Sequence, residues 1–151
     1  MNVEHYSIQS DSSFLMYKFQ SIGPKGTIRK IVQFQKIENI AENIYNLLFG
    51  DWDVKNGIID DKVISDNKDA YKILVTVAHT VLQFVNHFQG AKILIVGSTK
   101  SRTRLYQIAI AQNLMAINKH FDIQGLINDH WENFRIGINF DAFLAKSKEN
   151  N

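Results

Sequence analysis

The chain has 151 residues, 45% hydrophobic and 21% charged, with one proline and eight glycines. That composition fits one globular domain with a sizeable core and excludes collagenous or low-complexity character. The absence of cysteine excludes disulfides, thiolate catalysis and Cys-ligated zinc or iron–sulfur centres, and a net charge of +2 does not by itself imply a nucleic-acid partner.

The N-terminal MNVEHYSIQSDS has neither a basic region nor an apolar stretch, so it does not read as a secretory signal. No apolar run approaches the roughly 18 residues that span a bilayer. A soluble cytoplasmic protein without a membrane partner is expected. His5–Gln9 can add a short strand. From Phe14 to Lys36 the sequence alternates and favours strands: FLMYKFQS, then IGPKG, then TIRKIVQFQ predicts a β-hairpin with a Gly-Pro-Lys-Gly turn. IENIAENIYNLLF reads as a short helix running into a strand. Residues 50–67 are acidic and turn-prone and are expected to form a long loop, with a strand near Gly57–Ile59.

Asn67–Phe88 is the clearest helix. Asp66 or Asn67 is positioned to cap it, Asp69 falls in its first turn, and Leu74, Val77, Ala78, Val81, Val85 and Phe88 form a stripe at helical spacing. Gly90 stops it. Lys92–Val96 has an apolar core typical of a buried strand. Ser101–His120 is the second principal helix, capped by Ser101, with Tyr106, Ile110, Leu114, Ile117 and Phe121 on one face. Asp122–Ile127 and Asn139–Lys146 are further strands. Strand, helix and strand between Lys92 and Ile127 predict a right-handed parallel crossover. The fold class is therefore α+β: a mixed, largely antiparallel sheet, two principal helices and one β-α-β crossover. Residues 1–146 read as a single domain and 147–151 as a frayed polar tail.

Charge is unevenly distributed. Residues 37–69 carry eight acids against three lysines, whereas residues 70–121 carry six bases and no acid. Inside the basic segment lies GSTKSRTR, Gly97 to Arg104, at the start of the second helix. Helix N-termini carry unpaired N–H groups and partial positive charge, so Arg102 and Arg104 in a first turn oppose the dipole by about 0.3–1 kcal/mol each. A bound phosphate or carboxylate reverses that sign and suits the arginine forks. Gly97, Ser98, Thr99, Lys100, Ser101, Arg102, Thr103 and Arg104 are accordingly the candidate ligand-binding residues. The competing reading pairs the arginines with Asp51, Asp53, Asp60 or Asp61. The segment is not a P-loop, which needs a second glycine before the lysine.

Other chemistry is thinly signalled. Asp51-Trp52-Asp53, with Asp60-Asp61, has the composition of a metal site, but an acidic loop is more often simply solvated, and no metal site is assigned. The five histidines fall in no zinc spacing. Ser98 follows a strand without a GxSxG elbow. Tyr17, Phe19, Phe34 and Tyr106 stand near bases, as nucleic-acid readers do, but on these elements they read as core.

Two resemblances add to this reading. GSTKSRTRLY, preceded by DNKDAYKILVTVAHTV and followed by NFDAFLAK, resembles a family of short uncharacterised bacterial proteins of Bacteroidetes type, across almost the whole chain; that resemblance implies no activity. AKILIVGSTKSRTRLYQIAIA with HFDIQG is similar to the late part of GNAT-type N-acetyltransferases, where a strand leads to a helix bearing a Leu-Tyr pair. Leu105-Tyr106 matches that pair, and the resemblance implies Tyr106 as a general acid and a coenzyme A site. The sequence departs from the GNAT pattern in a longer helix. Its DKVISDNKDAYK also carries acids and no glycine where the pyrophosphate loop belongs.

The expected function is binding of an anion, namely a nucleotide, a phosphorylated metabolite or RNA, at Gly97–Arg104. The alternatives are a GNAT-like acyltransferase with a degenerate coenzyme A site, and a protein–protein module meeting an acidic partner protein in a two-gene regulatory pair. No cofactor and no oligomeric state follow from the residues.

Overall fold

The computed structural model describes residues 4–53, 55–60 and 67–148, with the backbone alone for 58–60. Among them are nine strands and three helices: β1 (Gln9–Ser10), β2 (Met16–Gly23), β3 (Gly26–Lys36), β4 (Ile44–Asp53), β5 (Ile58–Asp60), α1 (Ala70–His87), β6 (Lys92–Ile95), α2 (Lys100–Gln112), α3 (Leu114–Ile117), β7 (Phe121–Ile127), β8 (His130–Asn133) and β9 (Ala142–Ser147). The class is α+β, with mostly antiparallel pairing and two long helices, as the patterning predicts. No helix among the described residues is long and apolar enough to cross a membrane.

The chain divides into two compact units: Asn2–Gln35 with Leu48–His87, and Met1 and Lys36–Leu47 with Phe88–Asn151. β4 contributes residues to both.

The first unit is built on the β2–β3 hairpin, paired in register from Met16↔Gln33 to Gly23↔Gly26. Pro24 and Lys25 make the turn, and Gly26 takes a φ of 86°, which only glycine adopts without strain. β1 pairs antiparallel with β2, and β5 with the end of β4. One hairpin face carries Tyr17, Phe19, Val32 and Phe34, all buried; Phe34 stacks on Phe84 of α1 at 4.1 Å. Lys30 shares that buried face and forms an ion pair with Asp51. Val77, Val81 and Val85 of the expected α1 stripe are buried, but Leu74, Ala78 and Phe88 are only partly so. Val75, Thr76, Thr80 and Phe84 take the most deeply buried positions instead. The two threonines tolerate burial because each hydroxyl donates to its own helix, to the carbonyls of Lys72 and Val77.

The start of α1 also differs from expectation. Asp66 lies outside the described residues. Asn67 plugs the hairpin turn: its Oδ1 accepts from the Lys25 N–H at 2.7 Å, and its Nδ2 donates to the Gly26 carbonyl at 2.9 Å and to Ser21 Oγ. Asp69 precedes the helix, whose first turn holds no acid. Its Oδ2 accepts hydrogen bonds from the hydroxyls of Tyr6 (2.6 Å) and Ser21 (2.5 Å). Local tertiary partners thus outcompete the helix end for these polar side chains.

The second unit has the strand order β4-β6-β9-β7-β8. Ile44–Asn46 of β4 pair parallel with Lys92–Leu94 of β6, while β6–β9, β9–β7 and β7–β8 are antiparallel. β6 and β7 therefore run parallel, as the crossover predicts, but β9 is inserted between them. The residues after Ile37 do not form the expected helix. They turn at 39–42 and enter β4, because Tyr45, Leu47 and Phe49 alternate into the core. β4 then continues through Asp53, inside the expected loop, and β8 is a strand the sequence did not announce. His5–Gln9 contributes only Gln9 to β1, and Ser147, expected in the tail, still pairs with Phe121.

The second long helix is shorter than its sequence pattern. α2 ends at Gln112 and α3 is a single separate turn. Asn113 ends α2 by satisfying its carbonyls: its N–H reaches Ala109 and Ile110, and its Nδ2 donates to the Ala109 carbonyl at 2.8 Å. Of the predicted apolar face, Ile110 and Phe121 are buried, while Tyr106, Leu114 and Ile117 are half-buried.

Candidate functional site at the start of the second long helix

The chain leaves β6 at Ile95 and enters α2 at Lys100. Thr99, not Ser101, is the N-cap: its backbone is extended, and its Oγ1 accepts from the Arg102 N–H at 3.2 Å. A residue with helical dihedrals cannot offer its side chain to its own first turn, and Ser101 already lies one residue inside. Thr103 ties the loop down. Its Oγ1 accepts from the Gly97 N–H at 2.9 Å and donates to the Thr99 carbonyl at 3.2 Å. Gly97 lies so close to the helix that an added Cβ would sit 2.4 Å from Thr103 N and 2.6 Å from Arg102 Cβ. Glycine is therefore needed there for approach. Gly97 and Thr103 shape the loop.

Against this loop stands the segment Ile138–Asp141. The link is Gln107, which is 7% exposed. Its Oε1 accepts from the Phe140 N–H at 2.9 Å and from Arg104 Nη1 at 2.8 Å. Its Nε2 donates to the Ile138 carbonyl and to Asn139 Oδ1. Behind the segment, Phe140 is fully buried against Phe134 and Phe143. Gly125 gives it room, since a Cβ there would meet the Phe140 ring at 2.4 Å.

Between loop and segment is a cleft of about 410 Å³, lined by residues 96–100, Thr103, Arg104 and residues 139–141. Six of the eight predicted binding residues line it: Gly97, Ser98, Thr99, Lys100, Thr103 and Arg104. Ser101 and Arg102 do not, and neither does Tyr106, half-buried further along α2. With Thr99 occupied by Arg102 and Thr103, the first two helical N–H groups, those of Lys100 and Ser101, meet no acceptor among the described residues. Lys100 and Arg104 supply two positive charges to the rim. Asp141 places one carboxylate on the opposite wall, an acid that the sequence reading did not consider.

Two of the acids named as alternative partners, Asp51 and Asp53, are engaged within the first unit. Asp51 pairs with Lys30. Asp53 accepts from the N–H groups of Lys55 and Asn56 and from Asn56 Nδ2, and the Asn56 bonds hold its carboxyl below the usual carboxylate range. The Asp60 side chain and Asp61 lie outside the described residues, as does the first half of the stretch compared with a pyrophosphate loop, residues 61–66. Among the described residues, no three His, Cys, Asp or Glu side chains are grouped to hold a metal.

Asn139, Phe140, Asp141 and Gln107 were not predicted as site residues. The signal for the first three was that NFDAFLAK stood out beside GSTKSRTRLY, with nothing to say that the two strings meet, and Gln107 falls just beyond the second string. Residues 2–148 match the model of a family of unknown function, DUF6934. No curated protein and no solved structure matches the chain. The chain belongs to the DUF6934 family.

Proposed function

We propose that this member of the family binds a small phosphate-bearing anion in the cleft between residues 96–104 and 139–141. The observation that carries the reading is the convergence on one cleft of Lys100, whose backbone N–H meets no acceptor among the described residues, and Arg104, at the start of α2. That N–H group and the dipole attract negative charge, and the two side chains add charge-assisted hydrogen bonds. The cations that oppose the dipole in the empty protein then become favourable. Asp141, at the far wall, repels a fully ionised oxygen close to it and so favours an anion with a protonated or esterified oxygen on that side. Binding, orientation and charge neutralisation are the chemistry the site offers.

The test is a melting curve with inorganic phosphate and pyrophosphate, for wild type and for Lys100→Glu with Arg104→Gln. Binding raises the wild-type melting temperature in a saturable way, because a ligand that binds only the folded state stabilises it by mass action. The variant should lose that shift. Its empty form should lose little stability through position 100, where a glutamate suits the helix start. An unshifted wild type, or a variant that keeps the full shift, overturns the proposal.

A further inference from the structure

The first unit holds a second cleft, of about 530 Å³, against β2, β3 and β4. Its lining includes Trp52, Lys18, Arg29, Gln9 and Gln20, with no acidic side chain among the described residues. The pairings Gln9↔Lys18 and Gln20↔Arg29 place those four residues on one sheet face. Lys18 Nζ stands 5.6 Å from the Trp52 ring centroid. Lys30 also lines the cleft, but its charge is met by Asp51. Lys18 and Arg29 are exposed and make no ion pair among the described residues.

We infer that this cleft takes a nucleoside monophosphate, with the base against Trp52 and the phosphate between Lys18 and Arg29. Stacking on an indole is open to any base, because every base has a π face. Two rim cations that form no ion pair among the described residues match a phosphate dianion, and Arg29 can engage two oxygens at once. Gln9 and Gln20 each offer an amide donor and acceptor for a base edge. The volume falls in the roughly 300–1,000 Å³ range of small-ligand clefts. Among the described residues the other aromatic rings in the lining, Tyr6 and Phe19, are 8% and 4% exposed. With a single stacking surface, the cleft is built for one base and not for a run of single-stranded nucleic acid. This site is independent of the cleft at α2, and its ligand differs in needing an aromatic ring.

Trp52 is its own reporter. A Trp131→Phe variant leaves it as the only tryptophan, since the chain has two. Titration with adenosine, guanosine, cytidine and uridine monophosphates should change its fluorescence saturably for at least one of them. The matching nucleoside and inorganic phosphate should each bind at least about tenfold more weakly, because each lacks one half of the recognition. Adding Lys18→Glu and Arg29→Glu should weaken the monophosphate about a hundredfold, at about tenfold per charge-assisted contact. Both positions are exposed, so the melting temperature should hold; a variant that unfolds is replaced by Lys18→Gln with Arg29→Gln, which should show the same direction. The inference falls if none of the four monophosphates gives a saturable change or if the charge variants bind equally well. It also falls if only RNA oligomers bind, because a mononucleotide site must accept its own unit.

Discussion

Replacing Gln107 by leucine isolates the link that holds the two walls of the α2 cleft together. Leucine fills a similar volume but makes none of the four hydrogen bonds. The Phe140 N–H and the Ile138 carbonyl then lose their partner, beside a Phe140 ring that is fully buried. A buried backbone group left unpaired costs about 1–3 kcal/mol. One such group in full and the partly buried Ile138 carbonyl, less the gain from a buried apolar side chain, give a net loss of about 1–3 kcal/mol, a large share of the roughly 5–15 kcal/mol that holds a domain folded. At about 2–4 °C per kcal/mol for a chain of this size, the melting temperature should fall by roughly 2–12 °C. Urea unfolding followed by circular dichroism gives the free energy, and thermal scanning gives the midpoint. Gln112→Leu, at an exposed site on the same helix, is the control and should stay within about 0.5 kcal/mol. Phosphate binding at the cleft should weaken in the Gln107 variant even where it is still folded, because one wall is released. A Gln107→Leu protein as stable as the Gln112→Leu control would refute the reasoning.

Val81→Asp places a carboxylate at a position 6% exposed in the middle of α1, and should cost several kcal/mol and yield unfolded or aggregated protein on size-exclusion chromatography. Tyr17 is fully buried, and burial pushes its hydroxyl up to about 12. A raised folded pKa stabilises below the unfolded value near 10 and is lost as pH climbs through the folded one, so stability should drop between about pH 10 and 12. Its hydroxyl has no hydrogen-bond partner among the described residues, so Tyr17→Phe should be neutral or slightly stabilising at pH 7 and should shallow the alkaline loss in denaturant titrations across that window.

The elements that could be read from the chain were those whose local signals agree. The hairpin carries alternation on both sides of a Gly-Pro-Lys-Gly turn, and β6 is an apolar run between Gly90 and Gly97. In the segment 37–49 the expected strand formed but the expected helix before it did not, because Ile37, Ile40, Ile44 and Leu47 recur at helical spacing while Tyr45, Leu47 and Phe49 recur at strand spacing. The outcome was decided by pairing with β6, a partner more than 40 residues away. Asn113 interrupts α2 with a side-chain bond that periodicity does not register. At the α2 cleft the loop half was legible because glycine, threonine and cations cluster in eight consecutive residues. The other half was not, because Gln107 reaches its partners across more than 30 residues of chain. No spacing rule connects a buried glutamine to the backbone it will satisfy.

The insertion of β9 between β6 and β7 sets the order in which the second unit can become complete. β6 and β7 are synthesised first and have no pairing with each other. Until Ala142–Ser147 emerges, each presents an open strand edge, and an open edge is a template for other chains. The contacts that close both edges span about 50 residues on the β6 side, from Lys92 to Lys146, and such distant pairings form late. A nascent chain or proteolytic fragment ending before Ala142 should therefore be aggregation-prone. β9 acts as the keystone of its unit: placed after the strands it joins, and the one on which both neighbours lean.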